Sequence, residues 1–125
     1  EAAYRDFDYQ DRVYEEYLNL YGKEYADSYV APTGYSEHHT GLAIDIGIKV
    51  DGKFIDYNKM TEEELNIYLE IHKCLKDFGF ILRYPKEKES ITGYPYEPWH
   101  IRYVGVEHAT KIMNQNITLE EYLNA

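Results

Sequence analysis

Ser36-Glu37-His38-His39-Thr40-Gly41-Leu42-Ala43-Ile44-Asp45 is the stretch on which the reading of this chain turns, and Glu97-Pro98-Trp99-His100 answers it much later. From Leu42 the sequence alternates. Leu42, Ile44, Ile46 and Ile48 point one way, and Ala43, Asp45 and Gly47 point the other. Period 2 marks a half-buried strand, so Asp45 lies opposite the isoleucine row, between small residues. His38 precedes the strand across Thr40-Gly41, a turn signal. In the second stretch Trp99, Ile101 and Tyr103 share one face of a strand, and His100, Arg102 and Val104 share the other. Pairing the two strands sets His100 beside Asp45, with His38 reaching the same point across its turn. Two imidazoles and one carboxylate suit one metal ion, and three protein ligands with an open fourth position are what a catalytic zinc ion needs. Pro98 argues against a helix at Glu97, which places that carboxylate at the strand entrance, near the metal without being an obvious ligand. A lone His is more often a surface or core residue than a ligand; the joint pattern is what carries the signal.

Ser36-x-His38-x-x-Gly41-x-Ala43-x-Asp45 followed by Glu97-Pro98-Trp99-His100 resembles the VanY-type zinc D-alanyl-D-alanine carboxypeptidases and the related L,D-carboxypeptidases. Tyr4-Arg5 with Gln10, Arg83-Tyr84-Pro85 and Arg102-Tyr103-Val104-Gly105 extend the likeness over nearly the whole chain. The resemblance implies zinc as cofactor, with His38, Asp45 and His100 as ligands and Glu97 as general base. It implies that Arg5 polarises the scissile carbonyl and holds substrate, that Gln10 binds the substrate's terminal carboxylate, and that the Ser36 hydroxyl helps bind substrate. The implied activity is removal of the C-terminal D-alanine from peptidoglycan stem peptides. The alternatives are an L,D-carboxypeptidase acting on tetrapeptide stems and, in a different class, a zinc-containing binding domain without activity. Retention of Glu97 beside three ligands favours the enzyme. The family usually carries Ser-Gly-Tyr-Arg-Ser around its first arginine, where this chain has Ala2-Ala3-Tyr4-Arg5-Asp6.

The remaining composition bounds the setting. At 125 residues the chain is expected to be one catalytic domain, residues 1–125, with a real core. Its 23 acidic and 13 basic residues leave a net charge of −10, which argues against nucleic acid and against direct binding to anionic membrane. Any site for an anionic substrate then needs local positive charge, which zinc and Arg5 would supply. No stretch is long and apolar enough to span a bilayer. The expected setting is extracytoplasmic, at the cell wall, as a monomer; any membrane anchor is expected upstream of Glu1. The single cysteine, Cys74, excludes an internal disulfide and is expected to be a small buried hydrophobe.

The predicted fold class is α+β: a small central antiparallel sheet that carries the zinc site, flanked by helices. Apolar spacing predicts a helix from about Asp8 to Tyr21, stopped by Gly22, and a short one over Lys23–Ser28. A strand over Leu42–Val50 is expected to turn at Asp51-Gly52, a type I′ hairpin signal, into Lys53–Tyr57. Thr61-Glu62-Glu63-Glu64 is a capping box opening a helix expected to run to about Phe78, with Leu65, Tyr68, Leu69, Cys74, Leu75 and Phe78 inward. Phe80–Tyr84 and Trp99–Val104 are expected strands, separated by a loop over Lys86–Tyr96 that approaches the site. Val106–Asn114 and a segment capped by Thr118 are the last expected helices. His72 is expected to be structural and His108 a surface residue.

Overall fold

The computed structural model describes residues 3–124. Helix α1, Phe7–Tyr21, starts where Asp6 accepts the Tyr9 backbone N–H at 2.7 Å, and stops at Gly22, whose φ is 91°. Helix α2, Lys23–Tyr29, folds back on α1. Tyr17, Tyr21, Tyr25 and Tyr29 recur every four residues through the junction and form a ladder, neighbouring ring centroids 4.5 to 5.6 Å apart, that ends on Trp99. A 3₁₀ turn over Glu37–Thr40 follows, capped by the Ser36 hydroxyl, which accepts from the His38 N–H at 3.2 Å.

The sheet is three-stranded and antiparallel: β1 (Ala43–Asp45) on one edge, β4 (Phe80–Leu82) on the other, and β5 (His100–Tyr103) between them. Its register pairs Asp45 with His100, Ile44 with Ile101 and Ala43 with Arg102. Directly opposed residues of an antiparallel pair share a face, so Asp45 and His100 stand side by side. The same face runs on through Arg102 to its β4 partner Ile81, which is fully buried in the core with Ala109 and Ile112 of α5 (Val106–Gln115). Ile117, together with Leu119 and Tyr122 of α6 (Leu119–Leu123), closes that core. The metal-type residues and the hydrophobic core are therefore two ends of one sheet face.

A two-stranded hairpin, β2 (Lys49–Val50) with β3 (Lys53–Phe54), turns at Asp51 and Gly52, with φ of 52° and 79°. Two positive φ angles in a row are the type I′ geometry. Helix α3, Glu62–His72, opens with the Thr61–Glu64 capping box, and the short α4, Glu89–Thr92, lies in the segment before Glu97.

The α+β architecture is as the sequence implies, but several elements are shorter. The strand expected over Leu42–Val50 breaks after Asp45. Its partner strand runs out there: Ile46 N–H donates to the Trp99 carbonyl at 2.8 Å, and the next residue along the partner, Pro98, has no N–H to continue the ladder. The helix expected to reach Phe78 ends at His72, and Leu75–Phe78 tighten into a 3₁₀ turn. The inward face read from a continuous 3.6-residue period fails past that break. Tyr68 and Leu75 are buried, whereas Leu69 and Phe78 are exposed. Cys74 sits at the junction and is exposed as well, not a buried hydrophobe. The expected loop over Lys86–Tyr96 contains the helical turn α4.

Candidate active site

One imidazole nitrogen from His38, one from His100 and a carboxylate oxygen of Asp45 lie within 4.8 Å of one another. His38 Nε2 is 3.2 Å and His100 Nδ1 is 3.3 Å from Asp45 Oδ1. Each residue arrives from a different element: His38 from the 3₁₀ turn, Asp45 from β1 and His100 from β5. Gly41, at φ 76°, makes the left-handed step that joins the His38 turn to β1.

Each ring's outer nitrogen is engaged, which fixes the inner one. His38 Nδ1 donates to the Ala3 carbonyl at 2.7 Å. His100 Nε2 donates to Glu37 Oε1 at 2.8 Å. The inner nitrogens, His38 Nε2 and His100 Nδ1, both face Asp45. A metal-binding imidazole needs this arrangement, one N–H held by a backbone carbonyl or a carboxylate and the other nitrogen turned inward. The donor set therefore fits a zinc ion. His39 does not belong to it: its Nε2 accepts from Gly34 N–H at 3.1 Å and its Nδ1 donates to the Arg5 carbonyl at 2.7 Å.

Glu97 lies 3.7 Å from His100 Nδ1 through Oε1, is only 3% exposed, and its Oε2 is buried without a hydrogen-bond partner among the described residues. Burial drives its pKa up to about 8, against the opposing pull of His100. Asp45 behaves in the opposite way: burial would raise its carboxyl, but hydrogen bonds from His100 and His38 outweigh that and hold it far below the ordinary carboxylate range. His100 is opposed by burial yet raised to about 9 by its bonds to Asp45 and Glu37. Two nearby carboxyl groups with pKa values pushed apart are a recurring sign of divided roles in a hydrolytic site.

Arg5 reaches the same point. Its Nη2 donates to Asp45 Oδ2 at 2.8 Å and its Nη1 to Gln10 Oε1 at 3.0 Å, while Nε is buried without a partner among the described residues. Gln10 is 1% exposed and gives its amide N–H to the Ala31 carbonyl at 2.8 Å. Gln10 thus ties Arg5 to the segment that delivers the 3₁₀ turn. Ser36 is 8% exposed, and its hydroxyl accepts from the turn. Arg5, Gln10, Ser36, His38, Asp45 and Glu97 all line one open cleft of about 210 Å³. Thr92 and Tyr94, from the segment before Glu97, line it too. Three residues carry more of the site than the sequence reading assigned them. Glu37 stood inside the motif as a spacer between Ser36 and His38, and Arg83 and Arg102 had no role. Their proximity to His100 comes from the strand register.

Three convergent donors, a buried carboxylate with one unpartnered oxygen and an arginine at the rim of one cleft form a candidate single-metal site. Residues 1–106 match the VanY family, D-alanyl-D-alanine carboxypeptidase, and the chain belongs to that family. A bifunctional D-Ala-D-Ala dipeptidase and carboxypeptidase, VanXYC of Enterococcus gallinarum, is 42% identical over 122 residues, covering 96% of this chain and 63% of its own length. The structure of VanYB in complex with D-alanine-D-alanine superposes with a TM-score of 0.82 at 38% identity, covering 98% of this chain and 68% of that one; a VanY variant from the VanB-type resistance cassette, in complex with Zn(II), matches equally well. The LdcB LD-carboxypeptidase matches with a TM-score of 0.80 at 40% identity, over 98% of this chain and 61% of its own. The chain spans 35% to 63% of the length of the curated relatives it matches.

Proposed function

We propose that this chain, acting as one catalytic domain, is a zinc carboxypeptidase that removes the C-terminal D-alanine from peptidoglycan stem peptides. The observation that supports this most is the convergence of His38 Nε2, Asp45 Oδ1 and His100 Nδ1 on one point beside Glu97, whose Oε2 has no partner among the described residues. Relatives bound to D-alanine-D-alanine and to Zn(II) support both the substrate class and the metal.

His38, Asp45 and His100 would hold the ion. Zinc bound there supplies Lewis acidity, bringing the pKa of a water from near 16 to about 7 and polarising a carbonyl. Glu97 takes the proton of the attacking water on its free oxygen and passes it to the leaving amine. Burial raises the Glu97 carboxyl in the metal-free site, and the charge of a bound ion would bring it back toward neutrality, where a base is suited to both halves of that transfer. Arg5 faces the negative charge that develops on the carbonyl oxygen; losing one such donor typically costs about a hundred- to a thousandfold in rate. Gln10 holds Arg5 in place and offers its remaining amide N–H toward the substrate carboxylate. The Ser36 hydroxyl, which only accepts within the protein, keeps its proton for the substrate. Arg5 supplies the local positive charge that an anionic peptide needs against a net charge of −10.

The related L,D-carboxypeptidase structures favour a second reading, cleavage of tetrapeptide stems. Purified protein incubated with muropeptide pentapeptides and tetrapeptides, with products read by mass, separates the two. Release of D-alanine from the pentapeptide is expected; release only from the tetrapeptide selects the L,D reading, and release from neither overturns the peptidase. We place the activity outside the cytoplasm, on a monomer. Among the described residues no helix is long and apolar enough to cross a membrane.

A further inference from the structure

Glu37 occupies the side of His100 opposite Asp45, and its two oxygens have separate partners. Oε1 accepts the His100 Nε2–H at 2.8 Å. Oε2 accepts from Arg83 Nε at 3.1 Å and from Arg102 Nη1 at 2.9 Å. Arg83 in turn gives Nη1 and Nη2 to the two oxygens of Glu120 on α6, at 2.7 and 2.9 Å. The Glu37 and Arg83 side chains are each 12% exposed. Tyr84, packed on the His100 ring at a centroid distance of 4.8 Å, restricts that ring from the side.

We propose that Glu37 is a positioning residue for the metal centre: it keeps the His100 ring proton on Nε2, so that Nδ1 is the nitrogen that binds. Arg83, Arg102 and Glu120 hold Glu37 in register for that task. The inference rests on the metal site proposed above. A carboxylate that only neutralised two arginines would need no contact with the imidazole, yet one oxygen is given wholly to it. The arrangement also links α6, which lies beyond the family match, to a metal ligand through two ion pairs.

Substitution by glutamine separates this role from a structural one. The amide of Glu37→Gln has one oxygen, and two arginines claim it. Its NH₂ then faces His100 Nε2, donor against donor, unless the ring moves its proton to Nδ1. That places a proton on the metal-binding nitrogen. Glu37→Ala leaves Nε2 to water and imposes no such inversion. The expected zinc affinities, measured by competition with a chromophoric chelator, fall in the order wild type, Glu37→Ala, Glu37→Gln, with Glu37→Gln down ten- to hundredfold, the usual range for loss of an outer-shell partner. Thermal melting of the metal-free proteins is expected in a different order, wild type, Glu37→Gln, Glu37→Ala, because glutamine still accepts from the arginines. The d–d bands of the Co(II)-loaded Glu37→Gln protein should shift as well. Affinities that simply follow the melting order, or a Glu37→Gln protein within threefold of wild type, overturn the inference. If Glu37→Ala does not fold, Glu37→Asp replaces it: it keeps the charge beside the arginines but withdraws from the ring, and unchanged affinity there overturns the inference equally. Stoichiometric zinc in His100→Ala would instead remove the metal site itself, so the two failures are distinguishable.

Discussion

Glu97 carries the sharpest chemical expectation of any single residue. Its Oε2 is buried with no hydrogen-bond partner among the described residues, while His100 Nδ1 stands 3.7 Å from Oε1. A buried oxygen with no partner costs roughly 1–3 kcal/mol, a cost that a catalytic base recovers in function. Glu97→Gln keeps the shape and one acceptor oxygen but cannot take a proton. The variant should bind zinc stoichiometrically, keep its KM, and lose at least about a hundredfold in kcat, the lower range for general-base catalysis. Loss of zinc from the variant would make Glu97 a ligand. Arg5 gives a different signature, because it contacts Asp45 Oδ2 as well as lining the cleft. Arg5→Ala should lower kcat/KM about a hundredfold, with zinc still present by elemental analysis, and Arg5→Lys should restore little, since an ammonium cannot span Asp45 and Gln10 with one planar fork. An unchanged kcat/KM would reduce Arg5 to an ion-pair partner of Asp45.

At the scale of elements, what positions the site is the β1–β5 register, and what positions the sheet on its core is the turn at Gly79. This glycine has φ of 85°, and a Cβ built there would meet the Tyr103 side chain at 2.7 Å and the Gly105 backbone at 3.2 Å. Its carbonyl accepts from both Val104 and Gly105. Gly79→Ala therefore combines positive-φ strain with a clash on the Tyr103 ring and a tight approach to the Gly105 backbone. It should destabilise by about 1–3 kcal/mol, seen as a lower urea midpoint at unchanged m-value; a midpoint equal to wild type would show that the turn relaxes freely. The elements themselves were partly legible in the sequence. The helix start at Thr61 and the Asp51-Gly52 hairpin follow from local capping and turn chemistry, which needs no knowledge of distant residues; the first helix was read from about Asp8, and its cap at Asp6 shows only in the structure. The alternation around Asp45 and His100 was enough to place them on one face. The end of β1 was not legible, because it depends on Pro98 lying across the sheet. Neither was the exposure of Cys74, since the change from α-helix to 3₁₀ turn leaves no mark in hydrophobic periodicity. Glu37 was hidden for a related reason: its partners Arg83, His100 and Arg102 lie 46 to 65 residues away, and only the folded register brings them together.

For the whole molecule, the site is an electrostatic load that the metal relieves. Without a cation, His100 carries a proton up to about pH 9, and Glu97 stays protonated up to about pH 8. Both pKa values are raised by folding above their ordinary values of 6.5 and 4.5. A group raised in the folded state contributes its stability below its unfolded pKa and loses it as pH rises through the folded one. Glu97 therefore weakens the metal-free fold progressively from about pH 4.5 to 8, and His100 from about 6.5 to 9. Zinc affinity runs the other way over this window, because binding must displace the His100 Nδ1 proton and affinity grows as that proton becomes easier to remove. Stabilisation by a ligand that binds only the native state follows the logarithm of its concentration over its Kd. The rise in Tm on adding zinc to chelator-treated protein should thus be small near pH 6 and grow steadily to pH 9. Differential scanning calorimetry of zinc-loaded and metal-free protein across that range measures it directly. In Glu97→Gln, which cannot ionise, the metal-free protein should lose less stability between pH 6 and 8 than wild type does. A zinc-induced shift that is flat or shrinks as pH rises would mean that the metal-free site holds no such protons, and that Asp45 and Glu37 do not govern His100 in the way their distances imply.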